Sequence, residues 1–251
     1  MRVNFGIAAA AILMPLLVLG GEPARVSASP PSAKASAPID LTGIWVSIVD
    51  EDWRWRMLTA PKGDYPGVPL NEAGQKVADS WDKSEEGSCK AFGIGGLMRM
   101  PTRVRIRWET ENVLRIETDS GLQVRRLYFG AAPALTQRSL QGRSVAAWEH
   151  TLPLGDGWGL DLPVSPRPGG SLKVVTTDFV SGWLRRNGVP YSEDARITEY
   201  FDAFAGPDGS HWFVVTTIVD DSQYLSEPFI TSSHFRREPT ESEWHPRPCK
   251  A

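Results

Sequence analysis

The stretch Arg196-Ile197-Thr198-Glu199-Tyr200-Phe201-Asp202 alternates apolar and polar residues, the two-residue period of a half-buried β-strand. It runs through Ala203-Phe204 to Gly206-Pro207-Asp208-Gly209, a hairpin signal, and returns as His211-Trp212-Phe213-Val214-Val215-Thr216-Thr217-Ile218-Val219. This hairpin is the expected spine of an all-β domain. Within it, Glu199 shares a face with Ile197 and Phe201, so whatever buries those two also buries a carboxylate. Such a charge is costly inside a protein unless it is paired.

The N-terminus reads as an address. Arg2 precedes an apolar run from Ala8 to Leu19, and Val26-Ser27-Ala28 offers the small residues a signal peptidase reads. Cleavage is expected after Ala28, with Val18-Leu19-Gly20 as the alternative site. The run falls short of the ~20 residues that span a bilayer, and Pro15 interrupts it. No stable membrane span is therefore expected after cleavage, an uncleaved anchor being the other reading, and the expected location is periplasmic or secreted. Residues 29–38, rich in Pro, Ser and Ala, are expected to form a flexible linker.

The formal charge is −3; Arg2, Glu22 and Arg25 sum to +1, which leaves −4 after Ala28. A mildly acidic product argues against general nucleic-acid binding. From Ile39 onward about 210 residues remain, with no internal repeat and no second linker, so residues 39–251 are expected to be one domain. The two cysteines, Cys89 and Cys249, are expected to bond in an oxidising compartment. That bridge would tie the C-terminal tail to the body.

The domain opens with Asp40-Leu41-Thr42-Gly43-Ile44-Trp45-Val46-Ser47-Ile48-Val49. Gly43 and Trp45 resemble the Gly-x-Trp signature on the first strand of lipocalins. The resemblance implies an antiparallel barrel of about eight to nine strands, a Trp45 that closes one end, and an arginine from the last strand, Arg236 or Arg237, over its ring. The order of further phrases, among them Leu127-Tyr128-Phe129-Gly130, Gly142-Arg143-Ser144, Asn187-Gly188-Val189-Pro190 and Thr198-Glu199-Tyr200, resembles a large, functionally uncharacterised family of exported bacterial proteins. It implies a single secreted β domain and no particular reaction.

Further strands are expected at Arg103–Trp108, Val113–Thr118, Gln123–Phe129, Ser171–Asp178 and Phe229–Arg237. One short helix is expected from Glu72 to Trp81, capped by Asn71, with Val77 and Trp81 facing the body. Trp53 and Trp55 would share one strand face, as an aromatic rim for a flat ligand or as a lid packed on the barrel. Leu154 to Gly170 reads as a loop over one mouth.

Parity selects the interior candidates. Arg125 shares a face with Leu127 and Phe129, and its guanidinium follows them inward. Glu149 points inward if Val145 and Ala147 do, and outward if Trp148 is the buried residue. Tyr191 and Glu193 follow a turn just before the Glu199 strand and are placed to line the mouth, while Trp45 and Phe201 would form cavity wall. The nucleophile-elbow, phosphate-loop and dinucleotide searches find no complete motif, the four histidines show no paired metal spacing, and no cofactor or metal is called for.

Two functions fit these residues. One is a carrier whose aromatic-rich cavity takes a hydrophobic or aromatic small molecule, with Arg125 fixing its anionic end. The other is a cofactor-free acid–base enzyme, an isomerase, cyclase, hydratase or lyase, in which Glu199 or Glu149 moves the proton and Arg125 or Tyr191 stabilises developing negative charge. A salt bridge that only sets strand register is the remaining reading of the charged interior.

Overall fold

Alternation along the strands becomes a ring. The computed structural model describes Arg2, residues 30–150 and residues 169–250. The expected signal segment and the expected loop from Leu154 to Gly170 lie, almost entirely, outside the described residues. The strands are β1 (Gly43–Ile48), β2 (Arg103–Thr110), β3 (Val113–Thr118), β4 (Val124–Phe129), β5 (Arg143–His150), β6 (Gly170–Thr177), β7 (Arg196–Ala205), β8 (His211–Asp220) and β9 (Phe229–Glu238). Each pairs with its neighbours in chain order, and β9 pairs back onto β1 to close an all-β, lipocalin-like barrel.

Every junction is antiparallel except that between β4 and β5, which run parallel. A closed ring can hold only an even number of antiparallel junctions, so an odd number of strands requires a parallel one. The return path that a parallel pair needs is supplied by residues 130–142, which reach the far rim, where the Leu140 carbonyl accepts from Ile94 N and Gln141 Nε2 donates to the Phe92 carbonyl.

The Gly-x-Trp strand carries its tryptophan beneath an arginine of the last strand, as the lipocalin resemblance implies, while Trp45 sits in the barrel's central cluster and does not close an end. Trp45 is buried, meets Phe213 edge-on at 4.9 Å, and carries the Arg237 guanidinium over its ring at 5.6 Å. Gly43 is what admits that arginine, since a Cβ there would stand 2.9 Å from Arg237 Nε, and its φ of 128° is one that side chains resist. Arg103, Arg105 and Arg107, on the outer face of β2, are answered by Glu238, Glu117 and Glu241.

The barrel is stopped at both ends. At one end Trp108, Phe129 and Trp148 pack together with centroids 5.2–6.5 Å apart. Residues 31–36, expected to be a loose arm, dock there instead: Trp148 Nε1 donates to the Ala33 carbonyl and Ala33 N donates to Asn112 Oδ1. Composition sees no apolar surface in that segment, but its backbone supplies partners that the indole and the β2–β3 turn lack.

The other end carries a cap built from α1 (Trp53–Met57), α2 (Glu72–Asp79), short 3-10 turns and the hairpin Gly182–Arg185/Val189–Tyr191. Trp53 and Trp55 therefore lie on a helical turn, not on a strand face. On α2 the buried side is Gly74 and Ala78, while Val77 is exposed. Gly74 lets the helix approach so closely that a Cβ would stand 2.2 Å from the Tyr224 carbonyl oxygen. Asn71 does cap the helix, accepting from Gly74 N, and Trp81, just past its end, is buried as expected. The Cys89–Cys249 disulfide is formed and anchors the tail, whose Arg247–Pro248 pairs with Ser120–Gly121.

Candidate functional site

Inside the barrel the side chains form layers. Leu41, Trp45, Val104, Ile106, Leu114, Ile116, Leu127, Val174, Phe201, Phe213, Val215 and Phe235 form one apolar cluster, with Phe213 and Phe235 stacked at 4.7 Å. The cap contributes a second apolar cluster that includes Ile94, Phe179, Tyr191, Ile197, Val219 and Phe229. On β7 the inward residues are Ile197 of the cap cluster, Glu199, then Phe201 of the barrel cluster. On β8 the same order reads Val219, Thr217, Val215.

A polar residue recurs at an inward position strand after strand. Thr118 on β3, Arg125 on β4, Ser144 on β5, Thr176 on β6, Glu199 on β7, Thr217 on β8 and Ser233 on β9 are all buried and share parity with core residues. A polar band thus lies between two apolar layers. Its centre is the Arg125–Glu199 ion pair, formed by Arg125 Nη2 and Glu199 Oε2 with side chains 1% and 0% exposed. The same Nη2 donates to Thr176 Oγ1 at 3.0 Å and Nε donates to Ser144 Oγ at 3.1 Å, while the two hydroxyls bond each other at 2.8 Å.

The pair is only half used. Arg125 Nη1 and Glu199 Oε1 have no hydrogen-bond partner among the described residues, although both are shut off from solvent. A spare donor and a spare acceptor on a neutral pair suit a group that both accepts and donates, such as an amide, a hydroxycarbonyl or a phenol. Buried polar atoms left in this state call for an explanation.

Parity therefore brings Arg125 and Glu199 together as expected. Glu149 takes the outward setting: Ser144, Ala146 and Trp148 face in, and Glu149 is exposed beside Lys173 Nζ at 3.1 Å. The large indole wins the interior because it buries more apolar area than Val145, which is 38% exposed. Tyr191 is fully buried in the cap cluster, edge-on to Phe179 at 5.6 Å, and its hydroxyl lies where a Cβ on Gly93 or Gly182 would clash. Burial pushes its phenol well above the ordinary range and keeps it neutral. Glu193 is exposed and faces Arg138 at 3.6 Å. Trp53 is 54% exposed, and Trp55 packs between Asp64 and Arg185. Trp45 and Phe201 are both wall residues of the barrel core.

Ser144, Thr176, Thr217 and Ser233 are members of the band that motif reasoning passed over. Their signal is present in the sequence as a hydroxyl at an inward position of an otherwise apolar strand face. One such residue is unremarkable; its meaning comes from adjacency to the others.

Fold and interior together define a class, a closed lipocalin-like β-barrel with a buried ionic pole. Comparison with family models, with curated proteins and with solved structures finds no match to this chain. Among the described residues no helix is long and apolar enough to cross a membrane.

Proposed function

We propose that this chain is an exported carrier that holds a small apolar or aromatic molecule in the barrel, with the polar end of that molecule seated on the band formed by Arg125 and Glu199. The observation that carries the reading is the unused donor and acceptor of the buried pair. Because Glu199 already neutralises Arg125, the pole favours a neutral hydrogen-bonding end group over a bare carboxylate. The Phe201, Phe213 and Phe235 rings supply an apolar wall of the kind such ligands require. Export is part of the proposal: residues 1–28 serve as the signal, and the Cys89–Cys249 bond suits an oxidising compartment.

The test uses the mature protein and the fluorescent probe 1-aminoanthracene, an aromatic ring system with one neutral polar group. Saturable fluorescence enhancement in the parent, lost in Thr217→Leu, is expected, since leucine replaces one hydroxyl of the band with apolar bulk. No saturable binding, or unchanged binding in a folded Thr217→Leu protein, removes the reading. Mass spectrometry of molecules released from protein isolated from its own compartment separates a carrier, which returns its occupant unaltered, from an acid–base enzyme, which returns product. N-terminal sequencing of the exported protein checks cleavage after Ala28.

A further inference from the structure

Away from the barrel interior, the cap gathers arginines from distant parts of the chain. Arg56 of α1 is saturated: it pairs with Glu51, donates from Nε to the Arg99 carbonyl at 2.8 Å and from Nη2 to Ser47 Oγ at 2.9 Å. Arg99 pairs with Asp52 at 2.8 Å but leaves Nη1 without a partner among the described residues. Arg185 is different in kind. It is 5% exposed, reaches no carboxylate among the described residues, and leaves both Nε and Nη1 unpartnered. Its guanidinium lies over the Trp55 ring at 4.5 Å. Arg186 adds a second positive charge that forms no ion pair among the described residues, spending Nη2 on the Arg56 carbonyl and leaving Nε without a partner there.

A buried guanidinium without an ion-pair partner is costly, because the charge is desolvated and the face of an aromatic ring offsets only part of that cost. Nearby acids do not serve: Asp52 is engaged by Arg99, and Asp64 by Arg54 at 2.5 Å and by Trp55 Nε1 at 3.3 Å. Guanidinium groups with idle N–H donors are matched by planar or tetrahedral oxyanions. We propose that Arg185, with the Trp55 indole as platform, is a binding site for a small oxyanion, a carboxylate or a phosphate group. Burial, and next the like charge of Arg99, hold Arg185 down to about 10, still charged at neutral pH, and a bound anion relieves both costs.

The experiment follows the thermal midpoint and the titration heat of the full mature chain with sodium phosphate and with sodium benzoate, against sodium chloride at matched ionic strength. A saturable rise in Tm with accompanying heat is expected, abolished in Arg185→Gln and retained in Thr217→Leu, whose change lies in the barrel band. Response to phosphate alone assigns a phosphate-bearing ligand. Response to benzoate alone, weakened in Trp55→Ala, assigns an organic carboxylate. In anion-free buffer Arg185→Gln is expected to be at least as stable as the parent, because it removes an uncompensated charge. No saturable response in the parent, an equal response in Arg185→Gln, or an Arg185→Gln protein that unfolds earlier or fails to fold in anion-free buffer overturns the proposal.

Discussion

Replacing Glu199 by Gln keeps the size and shape of the side chain and removes only its charge, so it isolates what the buried pair contributes. Both side chains are essentially inaccessible, 1% for Arg125 and 0% for Glu199, and no allowance for solvent screening applies. Arg125 keeps its bonds to Ser144 and Thr176 in this variant, but its charge is left without a partner in an apolar barrel. Breaking a buried pair from one side costs roughly 3–5 kcal/mol. Arg125→Met should cost a similar amount by stranding Glu199. The double variant Arg125→Met/Glu199→Gln should recover much of the loss, because neither charge is then left stranded in the barrel. Equilibrium urea unfolding of the disulfide-intact protein, read by tryptophan fluorescence, gives all corners of the cycle. Glu193→Gln on the exposed loop is the control and should stay within about 0.5 kcal/mol. If Glu199→Gln and Arg125→Met each cost less than about 1 kcal/mol, or if their effects simply add, the pair is not the buried, coupled unit argued above.

Cys249→Ser should lower the free energy of unfolding, by up to about 4–5 kcal/mol on the chain-entropy account of so long a loop, and non-reducing peptide mapping of the parent should recover the Cys89 and Cys249 peptides linked. Gly74→Ala should cost about 1–3 kcal/mol by forcing α2 away from the Tyr224 carbonyl, measured by the same unfolding assay. Burial pushes the Glu117 carboxyl up, but Arg115, Arg105 and Arg107 more than offset it and leave it below the ordinary range. With the folded value lowered, its contribution to stability is present above the ordinary glutamate value and is lost as pH falls through the folded one. Carbon-detected NMR titration of Glu117 should show the low midpoint, and Arg115→Gln should raise it.

Local pattern alone was enough for the central hairpin, since β7 and β8 occupy Arg196–Ala205 and His211–Asp220 around the Gly206–Gly209 turn. The inward placement of Arg125 and Glu199 was legible for the same reason: a strand has two faces, and flanking residues as apolar as Leu127, Ile197 and Phe201 leave one choice. Gly43 and Trp45 announced a barrel whose closing arginine proved to be Arg237. Where both faces of a strand carry apolar residues, parity is silent, and the contest on β5 between Trp148 and Val145 was settled by how much area each can bury in the assembled core. The helical turn at Trp53–Met57 belongs to the same group, because alternating tryptophans and arginines fit a strand until the cap requires Arg56 to reach Glu51, Ser47 and the Arg99 carbonyl at once.

Other features belong to the closed structure only. The parallel β4–β5 junction follows from the number of strands in the ring, which no single segment encodes. The polar band exists because barrel closure brings hydroxyls from separate strands to one level, and the lone Arg185 is exceptional only once Arg99, Asp52 and Asp64 have folded around it with their charges already committed. Sequence determines which face of a strand is apolar, because that is set by neighbours two residues away. Which charges go uncompensated is decided by groups that meet through space, and that only the tertiary structure decides.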